Sequence, residues 1–176
     1  MKSMTPGDEV FTPALLRGQK YESVALAEYE KRRAVTVDKS GIFVDLQRPY
    51  LGCSPDGLLG ADKIVEIKCP FTAQEMNVTP ETLSYIELDE QTGLYRLSPT
   101  HDYMYQVQGL LHITNRSVCD FVVFTISDLA IIEVKRDQEF IEHMLSRLDD
   151  LYIHYFQRYF LKRYFYRCTD NYNFQY

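Results

Sequence analysis

The stretch Gly52-Cys53-Ser54-Pro55-Asp56-Gly57, followed ten residues after Asp56 by Glu66-Ile67-Lys68, sets two carboxylates and one ammonium close together in the chain. Side chains alternate along a strand, so in the β-type run from Lys63 to Lys68 the residues Glu66 and Lys68 point to one face while Ile67 points into the core. With residues 60 to 62 as the bend of a hairpin, equal steps back bring Asp56 opposite Glu66. Two acids and one base then converge. Such a cluster suits hydrolysis of a phosphodiester, which needs an oxygen-rich cation site, an activated water and positive charge where the transition state gathers negative charge. Asp56 and Glu66 supply carboxylate ligands and the Ile67 backbone carbonyl a third. Lys68 holds the attacking water or stabilises the developing charge. These residues leave open whether one ion or two is bound.

The competing reading is ordinary structure. A lone Asp or Glu beside a strand is commonly a turn cap or a surface carboxylate. A Glu and a Lys on one strand face, preceded at hairpin distance by Pro-Asp-Gly, is harder to produce as a solvated edge. Ser54 reads as a loop residue that touches phosphate rather than as a nucleophile, because no histidine sits in a motif that would activate it. The four cysteines, Cys53, Cys69, Cys119 and Cys168, form no CxxC pair, and the four histidines form no HxxxH pair. This spacing argues against structural zinc and iron-sulfur clusters and for reduced thiols packed as small hydrophobes.

The elements that must position the cluster follow from periodicity. Residues 13 to 34 read as a helix with a break at Gly18, and Ile42 to Asp45 and Tyr50 to Cys53 as short strands around the turn-prone Arg48-Pro49. After the Lys63 to Lys68 strand come a hairpin, Tyr85 to Leu88 with Leu94 to Leu97, and a helix over 100 to 114 with Tyr103, Val107, Leu110 and Leu111 on one side. Cys119 to Ile126 and Ala130 to Val134 make two more strands. Asp137 starts a last helix that runs to about Arg167. This order predicts an α/β (α+β) fold, a central mixed sheet flanked by helices.

At 176 residues, with 45% apolar and 14% aromatic content, the chain can bury one substantial core, and a single domain over 1–176 is expected. No apolar run approaches bilayer length, and the start MKSMTPGDEV lacks the stretch of a secretory signal. An intracellular protein, cytoplasmic or nuclear, with no membrane partner is expected. The formal net charge of -6 argues against a protein coated with basic surface, but a metal site needs carboxylates and a local basic strip can still hold a phosphate backbone.

Four blocks carry a resemblance: Arg17 to Glu22 reading RGQKYE, Gly52 to Leu58 reading GCSPDGL, Glu66 to Thr72 reading EIKCPFT, and Tyr103 to Gln108 reading YMYQVQ. The chain resembles the YqaJ-type viral recombinases, the group within the PD-(D/E)XK nucleases that includes the exonuclease of phage lambda and is related to viral alkaline nucleases. The resemblance covers residues 17 to about 136, and SPDG with EIKCP is its specific part. It implies a restriction-endonuclease-like sheet, Mg²⁺ (or Mn²⁺ as a substitute) on Asp56 and Glu66, and Lys68 as the catalytic lysine. It adds Glu22 as a further acid that acts on the metal directly or indirectly, and Gln106 as a polar residue orienting Lys68, water or a phosphate. By itself Glu22 is one of three glutamates on a charged helix, and Gln106 an ordinary helical glutamine. Arg17, Tyr103 and Gln108 are candidates for contacts to DNA or to the site. Only 21 residues precede Glu22, fewer than in fuller members, so low processivity and little preference for a 5′-phosphate are expected.

From Leu151 to Cys168 the last helix has eight aromatics, four cations and no acid. Its expected arrangement is a buried stripe of Tyr152, Tyr155, Phe156, Tyr159 and Phe160, with Arg158, Lys162 and Arg163 reaching out to meet DNA. Base stacking by the same aromatics, or partner binding, are the alternatives. The sequence thus points to a metal-dependent deoxyribonuclease, an exonuclease on double-stranded DNA in recombination, viral genome processing or repair. A strand-annealing protein or further copies of the chain are its expected partners. The alternatives are an endonuclease or RNA-directed nuclease on the same fold, or a nucleic-acid-binding module with impaired catalysis.

Overall fold

The structure, a computed structural model, describes residues 13–169, with side chains over 21–163. Helix α1 spans Pro13–Arg33 and runs through Gly18 without a break, since the residues on either side are good helix formers. It ends on Lys31, Arg32 and Arg33, which suit the negative end of the helix dipole. Strands β1 (Phe43–Val44) and β2 (Gly52–Cys53) pair antiparallel and are shorter than their apolar runs predict. The reason is Asp45, whose Oδ1 accepts the Gln47 and Arg48 N–H groups and closes a turn where the strand would continue.

The central sheet has the order β3-β4-β7-β8, built from β3 (Gly57–Leu59), β4 (Lys63–Lys68), β7 (Val118–Phe124) and β8 (Leu129–Lys135). β4 and β7 are parallel and the outer pairs antiparallel, the mixed sheet the sequence predicts. The parallel pair needs a crossover, which carries the hairpin β5 (Ile86–Leu88) and β6 (Tyr95–Leu97) and then helix α2 (Asp102–Ile113). Each face of the sheet has its own core. Ile64, Cys119, Phe121, Val123, Ile132 and Val134 pack with Val107, Leu110 and Leu111 of α2. On the other face Val65, Ile67 and Val122 pack with Ala25 and Tyr29 of α1.

The chain divides after Arg136 into two compact units. The second is a line of helix: α3 (Gln138–Leu151), a π-helical turn (Tyr152–Gln157) and α4 (Arg158–Thr169). Asp137 caps its start by accepting the Phe140 N–H. Its aromatic stripe is not buried as expected: Tyr155, Phe156, Tyr159 and Phe160 are all exposed, Tyr155 by 70%. A stripe spaced for 3.6 residues per turn is cut where the π-helical turn takes Tyr152, Tyr155 and Phe156 out of that period. Among the described residues of its unit, a single line of helix also has nothing to close over them. Among the described residues, no helix is long and apolar enough to cross a membrane.

Candidate active site

The hairpin β3–β4 turns at residues 60 to 62, with Gly60 at a positive φ of 58°. Its register pairs Gly57 with Val65, and one further step sets Asp56 opposite Glu66. Gly57 has no room for a side chain, because a Cβ there would overlap Val37, which lies against β3 through the Asp38–Leu58 backbone pair. That close approach explains the glycine after Asp56. Asp56 is pinned in turn, its Oδ2 accepting the Ile67 N–H at 2.6 Å.

Strand alternation sends Glu66 and Lys68 to the α2 face. Lys68 Nζ donates to Glu66 Oε1 at 2.7 Å, and Gln106 Nε2, from α2, donates to the same oxygen at 2.7 Å. Both bonds land on Oε1, so neither uses Oε2. The Lys68 ammonium also lies 4.8 Å from the centroid of the Tyr103 ring. Tyr103 is held by Tyr85, edge-on at 5.0 Å, by His101 at 4.8 Å and by Phe121 at 5.7 Å. His101 fixes the start of α2 by accepting the Tyr103 N–H.

The electrostatics are those of too many acids. Glu66 is only 4% exposed. Burial, then the charge of Asp56, pushes its carboxyl up to about 7 despite Lys68. Burial also raises Asp56, against the Ile67 N–H and Lys68. Glu22 is raised by burial and by Asp56, with Lys68 acting the other way, so it stands within electrostatic reach of the pair. Three carboxylates share one ammonium. Cys53 and Cys69, beside the cluster, are pushed up to about 11, chiefly by burial, and burial also raises Cys119 well above its ordinary value. Thiols held protonated in this way are packing groups, and Cys168 lies outside the described side chains.

The structure therefore brings Asp56, Glu66, Lys68, Gln106 and the Ile67 backbone together, with Glu22 near. Ser54 is exposed in the loop between β2 and Asp56. Gln108 is not at the surface, as a DNA contact requires: it is 2% exposed and its amide donates to the Lys135 carbonyl, tying α2 to β8. Two residues of helix, roughly 200° of rotation, turn it to the side nearly opposite Gln106. Arg17 lies in α1 with its side chain outside the described residues. Arg158, Lys162 and Arg163 are exposed on α4, where Arg163 also donates to the Tyr159 hydroxyl. Sequence reasoning missed the Tyr103 ring as a seat for Lys68. It also missed Asp120, whose signal was visible: an acid inside the apolar strand Val-Cys-Asp-Phe-Val-Val-Phe.

A sequence model of the YqaJ-like viral recombinase domain matches residues 1–117. Among solved structures, the chain is similar to LHK-Exo in complex with dAMP, with 26% identity and a TM-score of 0.71 over 91% of this chain and 77% of that one. It is similar to the alkaline exonuclease LHK-Exo from Laribacter hongkongensis, with 27% identity and a TM-score of 0.58 over 84% of this chain and 74% of that one. A phage-related exonuclease from Haemophilus somnus 129PT shares the fold, at 15% identity and a TM-score of 0.56 over 81% of this chain and 71% of the other. A comparison with curated proteins finds no match.

Proposed function

This chain belongs to the YqaJ-like viral recombinase domain family, and from that membership and the charge of its site we propose that it is a metal-dependent exonuclease acting on double-stranded DNA. The observation that carries the reading is the half-buried Asp56 set opposite the buried Glu66, a pair whose negative charge Lys68 offsets only in part. Such a pair wants a cation. The donors are the carboxylates of Asp56 and Glu66 with the Ile67 carbonyl, and Glu22 acts beside them directly or indirectly. All of these are oxygen ligands, which fits Mg²⁺, an ion that keeps several waters and takes one or two carboxylates. When bound, such an ion polarises the phosphoryl oxygen and acidifies a water.

The chain's own residues do the rest. Asp56, locked to the β4 backbone, presents its free oxygen at a fixed place, and Gln106 holds Glu66 by one oxygen so that the other faces the site. Lys68 leaves Glu66 for the attacking water or the developing charge on phosphorus. Glu22 acts on the pair through its field. Ser54 and Arg17, with Arg158, Lys162 and Arg163 on the helical unit, contribute phosphate contacts that are insensitive to sequence. The helical unit after Arg136 serves the same nuclease domain, and a strand-annealing protein or further copies of the chain are its partners.

The test is an assay on linear, nicked and closed circular DNA with RNA alongside, in Mg²⁺, Mn²⁺ or EDTA. Linear duplex should be degraded with either metal and spared in EDTA, and closed circles should survive. Cleavage of circles would make it an endonuclease, preference for RNA would change the substrate, and DNA binding without cleavage would make it a binding module. LHK-Exo was solved with dAMP, the kind of mononucleotide an exonuclease releases, and this supports the first outcome.

A further inference from the structure

The sheet face opposite the site holds a second buried acid. Asp120 is 1% exposed within β7. Its Oδ2 accepts from the Tyr29 hydroxyl at 2.6 Å, its Oδ1 accepts from Lys63 Nζ at 2.9 Å, and Arg33 Nε stands 4.0 Å away. Tyr29 is itself fully buried. Burying a carboxylate inside an apolar strand is costly unless it is fully paired, and an apolar residue of similar size would usually serve the core as well. No step of the proposed chemistry uses this group.

Its partners lead back to the site. Glu22, Ala25 and Tyr29 follow one another at i, i+3 and i+7 of α1, on one side of the helix. Seven residues of α-helix rise about 10 Å. Over that length a helix is stiff, so a point fixed at Tyr29 also fixes Glu22, along the axis and around it. The apolar contacts of Ala25 and the Tyr29 ring with Val65, Ile67 and Val122 resist separation but tolerate small slides and rotations. A short hydrogen bond to a charged acceptor is directional and tolerates neither.

We propose that the Tyr29–Asp120 hydrogen bond, braced by Lys63 and Arg33, sets the register of α1, making Tyr29 and Asp120 positioning residues that keep Glu22 within electrostatic reach of the Asp56–Glu66 pair. This rests on the cation-assisted reading above and extends it to a group on the far face of the sheet. The effect of Tyr29 should therefore pass entirely through Glu22.

The experiment uses Tyr29→Phe, which keeps the ring and removes only the hydroxyl, and reads two quantities in the whole chain. One is Mg²⁺ affinity by calorimetry without DNA, and the other is steady-state cleavage of linear duplex. Tyr29→Phe should weaken Mg²⁺ binding and lower kcat at fixed Mg²⁺, each by about three- to tenfold, with KM for DNA unchanged. In a Glu22→Gln background the same substitution should change neither. A Tyr29→Phe protein with wild-type affinity and kcat would overturn the inference, and so would equal losses in both backgrounds, which signify general loosening. A wild-type chain that neither binds Mg²⁺ nor cleaves would bring down the proposed function itself. One that does both, with Tyr29→Phe silent, removes only the present inference.

Discussion

On one face of the central sheet Lys68 meets Glu66 at 2.7 Å, and on the other Lys63 meets Asp120 at 2.9 Å. Both lysines belong to β4, one at each end, and strand alternation sends them to opposite faces. The two pairs look alike but differ in their neighbours. Around Asp120 two carboxylates, Asp120 and Glu133, face two cations, Lys63 and Arg33, and the Tyr29 hydroxyl takes a further lone pair. Around Glu66 three carboxylates face one ammonium. Lys63 is raised by its bonds to Asp120 and Glu133, which outweigh burial, the mark of a cation in a satisfied setting. Glu66 is pushed to about 7, the mark of an acid short of cations. A buried ion pair alone thus says little about function. The local charge balance separates the structural pair from the one built to receive something.

The largest effect should come from the unbalanced face. Asp56→Asn or Glu66→Gln should lower cleavage of linear duplex by roughly 10³- to 10⁵-fold, about 4–7 kcal/mol of transition-state stabilisation. Near neutrality the metal-free fold should be at least as stable as before, because each change removes repulsion. A variant that keeps cleaving at the wild-type rate would reject the site. The balanced face predicts the reverse. Asp120→Ala leaves the Tyr29 hydroxyl without its acceptor and Lys63 with Glu133 alone, and should cost about 3–5 kcal/mol, read as a lower denaturation midpoint at an unchanged slope. Should Asp120→Ala prove neutral in stability, the contrast between the faces collapses.

Titration sharpens the same contrast. In the folded chain Glu66 holds its proton to about 7, against an ordinary value of 4.5. Its contribution to stability is fully present below pH 4.5 and is lost as pH rises to about 7, because the unfolded chain gives up the proton first. The loss is about 3 kcal/mol, with Asp56 and Glu22 adding in the same direction. Denaturation in EDTA across this range should show the decline. Added Mg²⁺ should reverse it near neutrality, where the deprotonated pair can bind the ion. Glu66→Gln should flatten both responses, and a wild-type profile that is level between pH 4.5 and 7 would contradict the charge excess.

Much of the site was legible because it is local. The alternation of Glu66, Ile67 and Lys68, the bend at residues 60 to 62 and the pairing of Asp56 with Glu66 all follow from one hairpin, whose register sequence spacing determines. Gln106 and Glu22 needed the family resemblance, since they come to the cluster from separate helices and nothing in their own neighbourhoods marks them. The last helix misled for a physical reason. Its aromatics repeat as a buried stripe would, and side-chain periodicity does not reveal the π-helical turn that breaks it. Gln108 misled as well, because a glutamine in a helix has the same appearance whether it meets solvent or, as here, a backbone carbonyl of β8. The Asp120 cluster joins α1, β4, β7 and β8, and only its acid inside an apolar strand gave notice.

The smallest effect sets two tyrosines against each other. Tyr29 serves its face through the hydroxyl, which donates to Asp120. Tyr103 serves the other through its ring, whose negative π-face lies 4.8 Å from the Lys68 ammonium. A cation over an aromatic face is worth about 0.5–1 kcal/mol where partly solvated, and here it draws Lys68 toward α2 without forming a bond that Lys68 must break. Tyr103→Leu should then lower kcat by roughly two- to fivefold and leave Mg²⁺ affinity unchanged, because an ammonium assists the transition state without ligating the ion. Tyr103→Phe keeps the ring and should match the wild type, the opposite of the loss expected at Tyr29→Phe. In a Lys68→Ala background Tyr103→Leu should have no further effect on turnover. Single-turnover cleavage with saturating Mg²⁺ separates these cases. A loss in Tyr103→Phe as large as in Tyr103→Leu would assign the effect to the hydroxyl, and a raised KM for DNA would make Tyr103 a substrate contact instead of a seat for the lysine.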